Sequence, residues 1–412
     1  MHAIKMTAIV VIAFLVGAVC LAVAYFAART VNTDARQAGL AAFYEPPGAL
    51  GAPGTVIRTE PLGVSVAGGT AIRMLYSSSS TDGSPVAASA MVFIPHAPAP
   101  SSGRPVVAWA HGTVGQGDAC APSRSANPIS QLDGWLQTML AQNWIVVATD
   151  YTGLGTPGIE QYLIGEQEAR DVTASVQAAR TLPDAHADTK WSVFGHSQGG
   201  HSALWAGELA GTLAPELQLV GVAAAAPAAE LTQIVDLQWD ELAGWVVGAE
   251  VVRSWSQAYP ELDLAGLMTA DAQTNYERLA QACVLDATAE SFARFSVFKQ
   301  DFFAVNPMTL PSWQSALSEQ TPRPLPASIP VFLAQGTLDT VVYPEPNVAL
   351  FDAWCAAGST ITPLFVATDH LQIAKVAAPE VITWLAHRFA GDHEIAPCQG
   401  ERPVGVVNQS TS

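Results

Sequence analysis

The sequence predicts an α/β fold, a mainly parallel sheet with helices on both faces and an inserted helical cap. Three observations predict it. Short apolar runs without polar alternation recur, as expected of strands buried on both faces. Stretches with helical spacing separate them, and alternating β and α elements build a parallel sheet between helix layers. Between two of these units, from about Ala228 to Leu310, the alternation gives way to several consecutive helical patterns.

The chain has 412 residues, enough for one large domain with an insertion or for two domains. Half of the residues are hydrophobic and 13 % are charged, which suits a large buried core. The net charge of −18 repels phosphate backbones, so nucleic acid is excluded as an expected partner. No basic cluster, phosphate-binding loop or metal-ligand spacing stands out. His393-Glu394 has no second histidine at helical spacing and reads as surface.

The elements follow in order. Met6 to Ala28 is an uncharged apolar run between Lys5 and Arg29, a targeting segment rather than part of the fold. Residues 1–28 are therefore read as a signal peptide or an N-terminal membrane anchor. Ala22-Val23-Ala24 fits a cleavage site, and the run is also long enough to span a bilayer. Export is expected either way. Val19 before Cys20 argues against lipoprotein processing. Gly39 to Gly54 reads as an extended lead-in. Thr55 to Pro95 carries apolar stretches broken by turns, including Ser77 to Gly83, and reads as antiparallel strands. Val106–Ala110, Ile145–Thr149, Trp191–Phe194, Val220–Ala225, Ile329–Ala334 and Thr362–Val366 read as buried strands. Glu166 to Leu182 is the clearest helix, with Ala169, Val172, Val176 and Ala179 on one side. Leu371 to Phe389 closes the domain as a helix, and 402–412 reads as a disordered tail. The insertion carries Trp239, Trp245 and Trp255 and the series Phe292, Phe295, Phe298 and Phe302, a stripe that is more often core than binding surface.

Gly195-His196-Ser197-Gln198-Gly199 is the most informative motif. It is a G-x-S-x-G pentapeptide between the Trp191–Phe194 strand and a run of small residues from Gly200 that reads as a helix. Strand, sharp turn and helix present a serine hydroxyl at the apex. That hydroxyl needs a base, and the base needs an acid to hold its tautomer. In this arrangement the acid and the histidine follow the serine in chain order. Asp339 is the expected acid, directly after the Val331–Ala334 strand; its rival, Asp352, falls inside a predicted helix. His370 is the expected base, between the last strand and the last helix. His387 lies at a helix end and His393 in the tail, and the His196 side chain is expected to point away. Two N–H donors are needed for a developing oxyanion. The backbone of Gln198 is one. Thr113, in the His111-Gly112-Thr113 loop after the Val106–Ala110 strand, is the other, and its hydroxyl offers a further bond.

Of the five cysteines, Cys20 lies in the leader. Cys120, Cys283, Cys355 and Cys398 remain, an even number that implies two disulfides in an exported chain. Three pairings are open.

Several segments together resemble the secretory lipase family of fungal lipase A and its actinobacterial relatives, within the α/β-hydrolase superfamily. They are His111-Gly112-Thr113 with Cys120-Ala121-Pro122-Ser123, Asp150-Tyr151-Thr152-Gly153-Leu154-Gly155, Tyr162-Leu163-Ile164-Gly165-Glu166, Gly195 to Gly200, Gly336-Thr337-Leu338-Asp339 and Asp369-His370. The resemblance spans about Tyr44 to Cys398. It implies an α/β-hydrolase domain over 44–398, a helical lid before the acid at about 228–310, no metal or cofactor, and hydrolysis of hydrophobic acyl esters or lipids. It also implies pairing Cys120 with Cys283 and Cys355 with Cys398. The long leader departs from the family's pattern and leaves free secretion and membrane attachment both open. Two other functions compete: an acyltransferase, with an alcohol replacing water, and a non-catalytic binding protein of the same fold. Oligomeric state and natural substrate leave no mark in the sequence.

Overall fold

The structure is a computed structural model and describes residues 32–264, 266–392 and 398. The leader, His393-Glu394 and the 402–412 tail lie outside the described residues. Among the described residues no helix is long and apolar enough to cross a membrane.

The chain divides into two compact units between Glu45 and Pro46. In the first, residues 32–44 form helix α1. The expected extended lead-in therefore begins later than Gly39. The run Ala35-Arg36-Gln37-Ala38 and Leu40-Ala41-Ala42 is made of good helix formers, and one glycine among them does not break it.

The second unit is built on a nine-stranded sheet. It opens with an antiparallel meander of β1 (Val56–Pro61), β2 (Gly69–Ser79) and β3 (Pro85–Pro95). Strand β2 runs on through Ser77–Ser79, where the sequence reading placed a turn. Ser78 is buried, and its hydroxyl donates to Asp171 at 2.6 Å. Next come β4 (Arg104–Ala110), α2 (Leu136–Ala141), β5 (Ile145–Thr152), α3 (Gly165–Arg180), β6 (Ala187–His196), α4 (Gln198–Leu213) and β7 (Gln218–Ala225). After an insertion follow β8 (Val331–Gly336), α10 (Pro344–Ala356), β9 (Ile361–Val366) and α11 (Ile373–Ala390).

The sheet order is β1-β2-β3-β5-β4-β6-β7-β8-β9, parallel from β5 to β9. Side-chain alternation sorts the strand residues into two cores. Val106, Ala108, Trp191 and Val193 pack with α3, α4 and α10 on one face. Val107, Trp109 and Phe194 pack with α2 and α11 on the other. Strand order reverses about β4, with β5 on one side and β6 on the other. The carboxyl ends of β4 and β6 thus flank a crevice of the kind where open α/β sheets bind ligands.

The insertion between β7 and β8 holds α5 (Leu231–Gln238), α6 (Ala243–Ala258), α7 (Ala270–Gln281), α8 (Val284–Phe292), a π-helical turn and α9 (Pro311–Glu319). Its helices thus continue past the expected limit at Leu310. It has its own core, including Trp245, Trp255, Phe302 and Trp313. Phe292 and Phe298 are exposed, so the phenylalanine series divides between core and surface.

Both disulfides are present: Cys120–Cys283, with Cα atoms 5.2 Å apart, and Cys355–Cys398, at 5.8 Å. Cys120–Cys283 joins the loop after β4 to the start of α8. Beside it, the Val284 N–H donates to the Val114 carbonyl at 2.8 Å and the Gln116 N–H to the Ala280 carbonyl at 2.7 Å. The middle of the insertion is therefore stitched to the loop that follows β4.

Candidate active site

Ser197 lies between β6 and α4 with φ 57° and ψ −119°, a conformation that few non-glycine residues adopt. Packing enforces it. A Cβ on Gly195 would stand 1.9 Å from the Gly199 carbonyl oxygen, and one on Gly199 would stand 1.9 Å from the Ala110 carbonyl oxygen. The motif's glycines are there because backbone occupies the space of a side chain. The Ser197 N–H donates to the Ala225 carbonyl at 3.0 Å, which ties the turn to the end of β7.

Asp339 and His370 lie in loops at the ends of adjacent strands, since Gly336 of β8 pairs with Val366 of β9. The Thr337 and Leu338 N–H groups donate to the Val366 and Thr368 carbonyls and hold the loops together. His370 Nδ1 lies 2.7 Å from Asp339 Oδ2, and His370 Nε2 lies 2.9 Å from Ser197 Oγ. All three residues are buried. Asp339 Oδ1 accepts from the Val341 and Val342 N–H groups, each at 2.9 Å, which fixes the carboxylate against rotation. Asp352, the rival acid, sits on α10, and the carboxylate that meets His370 Nδ1 is that of Asp339.

The expectation for His196 is corrected. Its ring lies 4.7 Å from the His370 ring, and its Nε2–H donates to the His370 carbonyl at 2.8 Å. Burial and then the neighbouring His370 push its pKa down to about 3, so the ring stays neutral and braces the His370 loop. Sequence spacing places His196 beside the serine but carries no signal that the β9 loop folds back over it.

The expected oxyanion donors lie on the two segments next to the serine, the start of α4 and the loop after β4. Gln198 begins α4, where backbone N–H groups lack helical partners. A Cβ on Gly112 would lie 3.4 Å from the Ser197 Cβ, so the loop bearing Thr113 runs close against Ser197. The Thr113 hydroxyl meets the Tyr162 hydroxyl at 2.7 Å. Burial holds the Tyr162 phenol well above its usual pKa, so it remains a neutral hydrogen-bonding group.

The Asp150 segment buttresses this loop. Asp150, at the end of β5, accepts from the Ser89 hydroxyl at 2.6 Å and from the Ser123 N–H at 3.0 Å. Its carboxyl thereby ties the Cys120–Ser123 turn to the sheet. Burial pushes its pKa up and that of nearby His111 down. The Tyr151 hydroxyl donates to the His111 carbonyl at 3.2 Å. Leu338, Val341 and Leu371 stand exposed beside Asp339 and His370 and give the rim an apolar surface. Among the described residues no cluster of His, Cys, Asp and Glu could hold a metal ion.

A sequence model of secretory lipases matches residues 129–396. The chain belongs to the secretory lipase family. It is 26 % identical over 381 residues to a Mycobacterium tuberculosis protein named "Probable inactive lipase MT1628", covering 86 % of this chain and 83 % of that one. It is 25 % identical over 303 residues to Lipase 5 of Candida albicans, covering 68 % of this chain and 64 % of that lipase. Among solved structures, Candida antarctica lipase A in its closed state aligns with a TM-score of 0.67 at 19 % identity, over 86 % of this chain and 87 % of that one. The rice cell wall degrading esterase LipA of Xanthomonas oryzae aligns with a TM-score of 0.68 at 17 % identity, over 84 % of this chain and all of that one. The α/β-hydrolase fold is thereby shown. Membership of the secretory lipase family, with the two disulfides, supports an exported protein.

Proposed function

We propose that the protein is a serine carboxylester hydrolase acting on hydrophobic acyl esters. The carrying observation is the chain of contacts from Ser197 Oγ through His370, at 2.9 and 2.7 Å, to a buried Asp339. In this reading His370 Nε2 takes the Ser197 proton as Oγ attacks the ester carbonyl. Asp339 holds the proton on Nδ1, so Nε2 presents its lone pair to the serine. The N–H of Gln198 and a donor at Thr113 stabilise the tetrahedral oxyanion. His370 then protonates the leaving alcohol, and an acyl group remains on Ser197. Water, deprotonated by the same histidine, releases the acid. The apolar rim of Leu338, Val341 and Leu371 supports a hydrophobic substrate. The helical insertion, stitched to the Thr113 loop, acts as the lid and supplies acyl-binding surface.

One relative bears the name of an inactive lipase, so turnover is the property to test. Ser197→Ala should abolish labelling by a fluorophosphonate and lower ester hydrolysis by roughly a million-fold, as for a serine nucleophile. An ester panel of increasing chain length then reads the acyl preference. A Ser197→Ala enzyme that still turns over esters, or a native chain that neither labels nor hydrolyses any ester, would overturn the proposal.

A further inference from the structure

The residue after the nucleophile is held by two carboxyl groups that take no direct part in the acyl chemistry. Gln198 Nε2 donates to Glu160 Oε1 at 2.8 Å and to Glu168 Oε1 at 3.0 Å. Glu168 also gathers the rest of the elbow. It accepts from His201 Nδ1 at 2.8 Å, the Ser202 hydroxyl at 2.8 Å and the Leu163 N–H at 3.0 Å. Glu160, Glu168, Gln198, His201 and Ser202 are all buried. A buried carboxyl is costly to keep, and two meeting at one amide nitrogen are costlier still. A glutamine serving only as core filler would need neither.

We infer that Glu160 and Glu168 are positioning residues for the oxyanion donor, gripping the Gln198 side chain so that its backbone N–H is fixed beside Ser197. This rests on the ester-hydrolase reading above. The grip spans three elements: Glu160 lies in the loop after β5, Glu168 on α3, and Gln198 at the first turn of α4. Such a brace matters because oxyanion stabilisation depends on donors that are already aimed when charge develops.

The brace has a protonation state. Glu160 faces Gln198 on α4, Glu168 and Asp171 on α3, and Arg253 and Glu250 on α6. Glu250 is itself buried, with both carboxyl oxygens unpartnered among the described residues. Burial, opposed in part by the Gln198 bond and reinforced by Glu168, pushes the Glu160 pKa up to about 8. Glu160 is therefore protonated at neutral pH. Above that point it ionises and adds a buried negative charge one side chain away from the donor. That charge opposes the negative charge developing on the substrate oxygen. Turnover should therefore fall on the alkaline side, apart from the acidic fall that comes from protonating the histidine base.

The test measures kcat and KM of the full chain on a soluble short-chain ester from pH 6 to 10, for the native protein, Glu160→Gln and Gln198→Ala. The native kcat should fall about tenfold between pH 7 and pH 9, the loss when only the protonated form turns over. Glu160→Gln, a permanently uncharged isostere, should lose that alkaline fall and keep the acidic one. Gln198→Ala keeps the backbone donor but frees it from the grip, so kcat should drop about tenfold to a hundredfold with KM changed less than about threefold. An alkaline fall unchanged by Glu160→Gln would overturn the proposal. So would a Gln198→Ala enzyme whose loss lies in KM alone. Fluorophosphonate labelling separates the two levels. A native chain that labels while both variants behave as native refutes the brace only; a native chain that does not label refutes the hydrolase reading itself.

Discussion

Replacing Asp339 by Asn tests the catalytic reading with the least disturbance of shape. Asp339 Oδ1 accepts from two backbone N–H groups at 2.9 Å, and Oδ2 accepts from His370 at 2.7 Å and from Gln335 Nε2 at 3.3 Å. An Asn carboxamide has two ways to sit there. With its NH2 toward Val341 and Val342, two well-formed bonds become donor-donor clashes. With its NH2 toward His370, only the long Gln335 contact suffers in that way. Each lost buried partner costs about 1–3 kcal/mol, so the second orientation wins. The NH2 then faces His370 Nδ1 and forces that nitrogen to accept. The proton moves to Nε2, which now donates to Ser197 Oγ and cannot take its proton. A triad with the wrong tautomer loses about 10⁴-fold in kcat, or roughly 5.5 kcal/mol of transition-state stabilisation. The assay is kcat at neutral pH on a soluble ester, for Asp339→Asn and Asp352→Asn enzymes matched by circular dichroism and melting temperature. Asp352→Asn should stay within about threefold of native, because the carboxylate paired with His370 Nδ1 is that of Asp339. Asp339→Asn activity within tenfold of native, or a large loss confined to Asp352→Asn, would refute the reasoning.

Three further outcomes are expected. Cys120→Ser with Cys283→Ser should lower stability by about 2–5 kcal/mol in urea unfolding, since the bridge closes a loop of sequence separation 163; an unchanged midpoint would show the stitch to be idle. Tyr162→Phe removes the partner of the Thr113 hydroxyl and should cost about 0.5–1.5 kcal/mol, read as a severalfold fall in kcat on a short ester, whereas native kcat would show that the Thr113 hydroxyl takes no part at the oxyanion. His196 takes up its proton near pH 3 in the folded chain and near ~6.5 when unfolded, so its contribution is intact above ~6.5 and is lost as pH falls toward 3. His196→Gln should therefore make unfolding free energy less pH-dependent between pH 4 and 6, by about 1.4 kcal/mol per pH unit at most, and parallel native and variant curves would contradict the assignment.

The sequence by itself determined the fold class and pointed to the candidate site residues, because those signals are local. A both-face-buried strand is visible as an unbroken apolar run, as in Ile145–Ala148. The elbow is legible because backbone contacts at Gly195 and Gly199 exclude every side chain, so the requirement is written at those positions. Asp339 and His370 stand out as candidates from their places after strands, since an α/β sheet collects loop residues at the carboxyl ends of its strands. What the tertiary structure decided depends on contacts between distant segments. Helix 32–44 prevailed over a glycine, and β2 ran on through its serines because Asp171, far along the chain, accepts from Ser78. His196 turned toward the site because the β9 loop offers it the His370 carbonyl. Likewise, Glu160 and Glu168 are unremarked polar residues in the chain and acquire a role only where α3 and α4 close over Gln198. Local pattern names the residue that must be small, apolar or nucleophilic. Only the folded chain determines which buried polar group meets which, since that pairing is set by strand order and helix packing and not by spacing along the sequence.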